Sequence, residues 1–203
     1  EWPDRPPLTV DVGLLGRHNA ANAMAIIGAA WVLGIGDEPL AASLKGFRGV
    51  RRRMEVKGDV DGVVVLDDYG HHPTAIARTL ETVRQVYPGR RVWAVYEPLT
   101  FHRTAAMLER FADILARADE AAIIDIWAVR DPDTTIVSAA DLAAATAKRS
   151  GRAVPAPGPP EASAEALARL VRPGDVVLVM GGGRSYVTAE RLVELLTERA
   201  GPG

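Results

Sequence analysis

Four short apolar runs punctuate the chain, and between them apolar residues return with helical spacing. Val63-Val64-Val65-Leu66 reads as a strand buried on both faces that ends at Asp67-Asp68. Val92-Trp93-Ala94-Val95-Tyr96, the stretch from Ala121 to Ile126, and Val176-Val177-Leu178-Val179-Met180 read the same way. Helices fit the intervals. Pro73 opens one striped by Ile76, Leu80, Val83 and Tyr87, and Leu108, Phe111 and Leu115 mark another. Ser138 with Asp141 resembles a capping box for a helix carrying Leu142. Leu167, Leu170 and Val171 stripe a further helix, and Leu192, Val193 and Leu196 the last. A short strand is predicted near Ala153-Val154, and strand material from Arg51 to Val56 before a turn near Asp59 to Gly62.

Ahead of this alternation, Leu8 to Val12 reads as a strand, and helices are predicted over Asn19–Leu33 and Glu38–Lys45. Strands alternating with helices imply an α/β fold: a Rossmann-like, mainly parallel sheet with helices on both faces, preceded by a short helical segment. Ligands bind such sheets beyond the carboxyl ends of the strands. Asp67 to His72, Glu97 to Thr100 and Gly181 to Ser185 stand there.

Charge and composition then narrow the function. Lys and Arg number 24 against 26 Asp and Glu, so no basic excess exists to neutralise a nucleic-acid backbone. Cysteine is absent, which excludes disulfides and thiolate chemistry and fits a reducing, cytoplasmic setting. The uncharged stretch Asn19–Gly36 is built largely from Ala and Gly, so a buried helix is expected rather than a membrane span. The opening Glu1-Trp2-Pro3-Asp4, without Met, looks like a piece cut from a longer protein.

Single motifs stay ambiguous. Gly181-Gly182-Gly183 between strand and helix is either a tight turn or an anion cradle. It is neither a P-loop nor a G-x-G-x-x-G fingerprint, since Tyr186 stands at the third glycine. His71-His72 lacks the spacing of a metal site, so hydrogen bonding or helix capping is expected there and no metal ligand is assigned. Arg51-Arg52-Arg53 is a solvated charge run or a phosphate contact.

Taken in order, these stretches are more specific. Gly16-Arg17-His18-Asn19-Ala20-Ala21-Asn22-Ala23 resembles the signature that closes the central ATPase domain of the Mur ligases. Arg52-Arg53-Met54-Glu55, Asp67-Asp68-Tyr69-Gly70-His71-His72-Pro73-Thr74 and Phe101-His102-Arg103-Thr104 continue that family's order. The middle stretch most resembles the members that join L-alanine to UDP-N-acetylmuramate, with the muropeptide-recycling members second. The resemblance implies that residues 1–47 end the central ATPase domain and that 48–203 form the Rossmann-like domain receiving the amino acid. It implies ATP as cofactor, with Mg2+ held by ligands outside this chain. The reaction implied is phosphorylation of a carboxylate followed by amine attack on the acyl phosphate.

By the same resemblance, His18, Asn19 and Asn22 surround the adenine, and Arg53 and Asp68 close over phosphate and ribose. His71 and Arg103 address the amino acid, and the turn holding Gly182 and Gly183 borders its pocket. Leu99 and Thr100 depart from the family, which typically has His and Arg there; a weaker or different amino substrate follows, with His102 compensating in part. The 203 residues alone are expected to be inactive. Neither nucleic acid nor membrane is an expected partner, and self-association through residues 19–33 is. The rival reading is a stand-alone domain that holds a nucleotide or phosphosugar without catalysis.

Overall fold

The computed structural model describes residues 6–14, 16–129 and 131–201, the side chains of Arg17 and His18 excepted. The chain divides into two compact units, Glu1–Val50 and Arg51–Gly203.

The first unit is built on α1 (Arg17–Val32) and α2 (Asp37–Gly46). Ala23 and Ala30 of α1 meet Leu40 and Leu44 of α2, and Leu8, Val10, Val12, Ile27 and Trp31 pack around them. The predicted strand at Leu8–Val12 does not form, because no ladder partner lies beside it among the described residues. Its alternate residues still turn toward the helices, as a strand face would. The apolar helix is buried along one stripe only, with Met24, Val32 and the adjoining Leu33 71, 74 and 76% exposed. A two-helix unit can cover only one stripe of α1. No helix among the described residues is long and apolar enough to cross a membrane.

The second unit opens with a hairpin of β1 (Glu55–Val60) and β2 (Val63–Asp68). Asp61 and Gly62 have φ of 51° and 72°, the two-residue left-handed turn whose twist suits a hairpin. β1 starts later than predicted because Arg52 and Met54 take positive φ in the preceding turn. There the Arg52 N–H donates to Glu55 Oε2 (2.8 Å) and the Met54 N–H to Asp68 Oδ2 (3.0 Å), so side chains capture donors a ladder would use. Helix α3 (Pro73–Val86), strand β3 (Val92–Glu97), helices α4 (Phe101–Ala106) and α5 (Leu108–Leu115), and strand β4 (Glu120–Ile123) follow. Then come α6 (Ala139–Ser150), α7 (Pro160–Leu170), β5 (Val176–Gly181) and α8 (Ser185–Ala200).

The strand order is β1-β2-β5-β3-β4, with β1 antiparallel and the other pairings parallel. Side chains alternate between two cores, as strand periodicity requires. Val64, Leu66, Ala94, Tyr96, Leu178 and Met180 meet α3, α5 and α6 on one face. Val63, Val65, Trp93, Val95, Val177 and Val179 meet α7 and α8 on the other. Gly58 in β1 admits α8, since a Cβ there would lie 2.9 Å from Val193.

The capping box at Ser138 and Asp141 forms as read. The strand near Ala153-Val154 does not: Pro155, Pro157 and Pro159 have no N–H to donate. What remains is a hydrogen bond from the Ile123 N–H to the Pro155 carbonyl (2.9 Å) and a bridge between Ile124 and Gly158. That crossover shortens β4 against the predicted run to Ile126. Leu170, read as part of an apolar stripe, is 42% exposed, while Leu167 is buried.

Candidate functional site

Parallel pairing sets Asp68 beside Met180 and Glu97 beside Gly181, so β2, β5 and β3 end at one edge of the sheet. The turns leaving them carry Tyr69–His72, Gly181–Arg184 and Pro98–Thr100. Trp127 joins from beyond β4: its N–H donates to the Pro98 carbonyl (2.8 Å), and its carbonyl accepts from the Thr100 N–H (2.9 Å).

The glycine turn holds an anion, but the anion is the protein's own. Glu97 Oε2 accepts from the N–H groups of Gly183 (3.1 Å) and Ser185 (2.9 Å), and Oε1 from that of Arg184 (3.0 Å). These are the open donors at the start of α8, where a carboxylate is favoured by both hydrogen bonding and the helix dipole. Glu97 is 1% exposed; burial pushes its carboxyl up, and the three N–H groups and nearby Arg52 offset part of that. Glycine is required for this approach. A Cβ on Gly183 would lie 2.6 Å from Trp127 Cγ and 2.7 Å from Glu97 Oε2, and one on Gly182 3.1 Å from Leu99 Cδ2.

Arg52 ties the turns together. Its guanidinium donates to the carbonyls of Gly181 (2.8 Å) and Gly183 (3.1 Å), to Ser185 Oγ (2.9 Å) and to Asp67 Oδ2 (3.3 Å). It also lies 5.1 Å from the ring centres of both Tyr69 and Tyr186, within cation–π range. Asp67 is fully buried, and its Oδ1 has no hydrogen-bond partner among the described residues; burial pushes its carboxyl up, against the pull of Arg52.

Arg53, the neighbour singled out from the sequence, is exposed, with its guanidinium 5.5 Å from the Tyr69 ring centre. Asp68 faces inward at 5% exposure. Its Oδ2 accepts from Met54, and Oδ1 accepts from the Gly70 N–H (2.8 Å) and Thr79 Oγ1 (3.3 Å). His71 Nδ1 lies 2.9 Å from the Tyr69 carbonyl. A carbonyl only accepts, so Nδ1 carries the proton and Nε2 is left as an acceptor. The His71 ring also neighbours Gly182, whose Cβ would sit 3.6 Å from its Cγ.

Thr100 caps α4 with φ of 64°, an outlying conformation for a β-branched residue. Its carbonyl accepts from Thr104 Oγ1 (2.7 Å), which with the Trp127 carbonyl holds it in place. Arg103, in the first turn of α4, is half-buried, and its side chain enters no hydrogen bond or ion pair among the described residues. His102 points instead to Asp131, which also accepts from the His102 N–H (3.0 Å).

In the first unit, Asn19 lies in the first turn of α1 and Asn22 in the second, with Asn22 Nδ2 3.4 Å from Asn19 Oδ1. The backbone of His18 is in the same turn, and its side chain lies outside the described residues. The second unit thus brings His71, Gly182, Gly183 and Arg103 to one sheet edge, with Asp68 underneath it. Sequence reading passed over Arg52, Glu97 as a partner of α8, and Trp127. Only a buried acid directly after an apolar strand hinted at the second.

Residues 52–183 match the family model described as "Mur ligase, glutamate ligase domain". Over 179 residues the chain is 41% identical to the UDP-N-acetylmuramate–L-alanine ligase of Caldanaerobacter subterraneus, covering 88% of this chain and 38% of that protein. The crystal structure of the UDP-N-acetylmuramate–alanine ligase of Thermotoga maritima matches with a TM-score of 0.73 at 25% identity, covering 94% of this chain and 40% of that one. A murein peptide ligase from Psychrobacter arcticus matches at 0.68 and 26% identity, covering 97% and 41%. The chain therefore spans about two-fifths of the length of these relatives. Their shared fold, and the family model matched across most of the second unit, show that this chain belongs to the Mur ligase family.

Proposed function

We propose that this chain is the amino-acid-receiving part of an ATP-dependent, ADP-forming ligase that joins L-alanine to UDP-N-acetylmuramate in peptidoglycan precursor synthesis. In this reading residues 1–47 end the ATPase domain and 48–203 are the receiving domain. The observation that carries it is Arg103: a half-buried guanidinium with no side-chain hydrogen bond or ion pair among the described residues, on the helix that follows the sheet edge holding His71 and the glycine turn. Such a group suits the carboxylate of an incoming amino acid, which it can grip through two parallel hydrogen bonds. The 41% identity to a ligase of that name supports the choice of L-alanine.

His71 supplies the base. With Nδ1–H turned to Tyr69, Nε2 takes a proton from the α-ammonium group and frees the amine lone pair. The amine attacks the acyl-phosphate carbonyl, and as the tetrahedral intermediate collapses the C–O bond to phosphate breaks, the nitrogen gives its second proton to the departing phosphate, and the amide is left. Gly182 and Gly183 keep the backbone close to this site without a side chain in the way.

For the nucleotide, Arg53 addresses phosphate, and His18, Asn19 and Asn22 the adenine. Both Asp68 oxygens are engaged, so its part is to hold the Met54 N–H and thereby set Arg53; a ribose contact would use its one remaining lone pair. By the resemblance, the ligands for Mg2+ lie outside this chain; among the described residues no group of three or more His, Cys, Asp or Glu side chains stands together to hold a metal.

The test uses the full-length protein and the 203-residue chain side by side. Full-length protein releases phosphate from ATP only when UDP-N-acetylmuramate and L-alanine are both present, and the chain alone releases none. Phosphate release by the chain alone overturns the proposed division of labour, and release indifferent to the amino acid overturns the reaction.

A further inference from the structure

Beyond the groups assigned to the reaction, the same sheet edge carries an apolar wall. Leu99 and Trp127 pair through an isolated parallel bridge, flanked by the backbone hydrogen bonds of Trp127 to Pro98 and Thr100. The Trp127 indole lies against Gly183 so tightly that a Cβ there would fall 2.6 Å from Cγ. Leu99 lies close to Gly182, where a Cβ would fall 3.1 Å from its Cδ2 and 3.6 Å from His71 Cγ. The indole therefore cannot retreat into the protein, yet 39% of Trp127 stays open to solvent. The Glu97 carboxylate, which also lies against Gly183, is engaged by the N–H groups at the start of α8. A partly open aromatic and an aliphatic side chain thus border the glycine turn, and the backbone of Trp127 is bonded to Thr100 at the start of the helix that carries Arg103.

We propose that Trp127 and Leu99 read the side chain of the incoming amino acid, admitting a small apolar group and refusing a charged one. This rests on the amino-acid site placed above, and it makes Trp127 the main specificity-determining residue. A hydrophobic pocket discriminates by size at roughly tenfold or more per methylene, so trimming the wall should widen the choice by that order. A carboxylate or ammonium set against the indole would lose its water without gaining a partner.

The experiment measures kcat/KM of the full-length enzyme for L-alanine, L-valine and L-aspartate, in wild type, Trp127→Ala, Trp127→Phe and Leu99→Ala. Trp127→Ala should raise the valine-to-alanine ratio about tenfold, with Trp127→Phe and Leu99→Ala giving smaller rises. KM for ATP should stay within about twofold, and L-aspartate should remain a poor substrate of the wild type. Active variants whose valine-to-alanine ratio is that of wild type overturn the wall alone. A wild-type enzyme that incorporates no amino acid overturns both the wall and the ligase reading.

Discussion

Replacing Glu97 by alanine removes the acceptor that serves three N–H groups at the start of α8 among the described residues. Gly183 and Arg184 reach solvent and can bond to water instead, but Ser185 is fully buried, and its stranded N–H costs about 1–3 kcal/mol. Loss of the negative charge at the helix start adds about 0.3–2 kcal/mol. The change also relieves the cost of holding a carboxylate at 1% exposure, which returns part of the sum. The net expectation is about 2 kcal/mol. For a chain of this size that lowers the melting temperature by roughly 4–8 °C. Urea unfolding followed by circular dichroism measures it, with an unchanged m-value showing that the midpoint shift reports stability. Glu161→Ala is the control: it breaks an exposed ion pair with the neighbouring Arg184 side chain and should cost about 0.5 kcal/mol or less. A Glu97→Ala loss below about 1 kcal/mol would refute the view that this carboxylate fills the α8 N-terminus.

Asp175 binds Arg91 (2.7 Å), Trp93 Nε1 (3.0 Å) and the Arg172 N–H (3.0 Å) at the opposite end of the sheet, so Asp175→Ala should cost about 2–4 kcal/mol in urea unfolding. Burial alone would raise its carboxyl, but these partners hold it below the ordinary 3.8. Its contribution is therefore full above that pH and fades as pH falls, and the variant should unfold less steeply in acid than the parent. Asp67 has the opposite sign: raised by burial, its contribution is full below 3.8 and is lost as pH climbs through the raised value. Asp67→Asn should remove that loss and match or exceed the parent in thermal stability at pH 7. Gly183→Ala forces the Trp127 ring and Glu97 apart and should cost about 1–3 kcal/mol with a changed tryptophan emission. Gly46→Ala, with open space around it, should do neither.

The sheet was legible because its strands are buried on both faces. Val63–Leu66, Val92–Tyr96 and Val176–Met180 leave no polar position for a competing pattern. The hairpin turn was readable only approximately, since the signal at Asp61-Gly62 lies inside a longer polar stretch. α4 went unassigned: six residues carry too little periodicity, and its start depends on Thr100, whose φ is imposed by Trp127. The candidate site was legible as a set of turns but not as a network. Gly181-Gly182-Gly183 advertised an anion cradle, while its occupant lies some 86 residues earlier in the chain. Arg52 and Arg53 are adjacent and identical in type. Only the backbone of the turn, with φ of 60° at Arg52, decides which one enters the core and which faces solvent.

The amino-acid site stands or falls on Arg103. Steady-state kinetics of the full-length enzyme, wild type against Arg103→Ala, varying L-alanine and ATP separately, tests it most directly. Losing a charge-assisted contact to a carboxylate should raise KM for L-alanine about tenfold or more while leaving KM for ATP within about twofold. An Arg103→Ala enzyme with unaltered L-alanine kinetics would contradict the placement of the amino acid at this edge of the sheet.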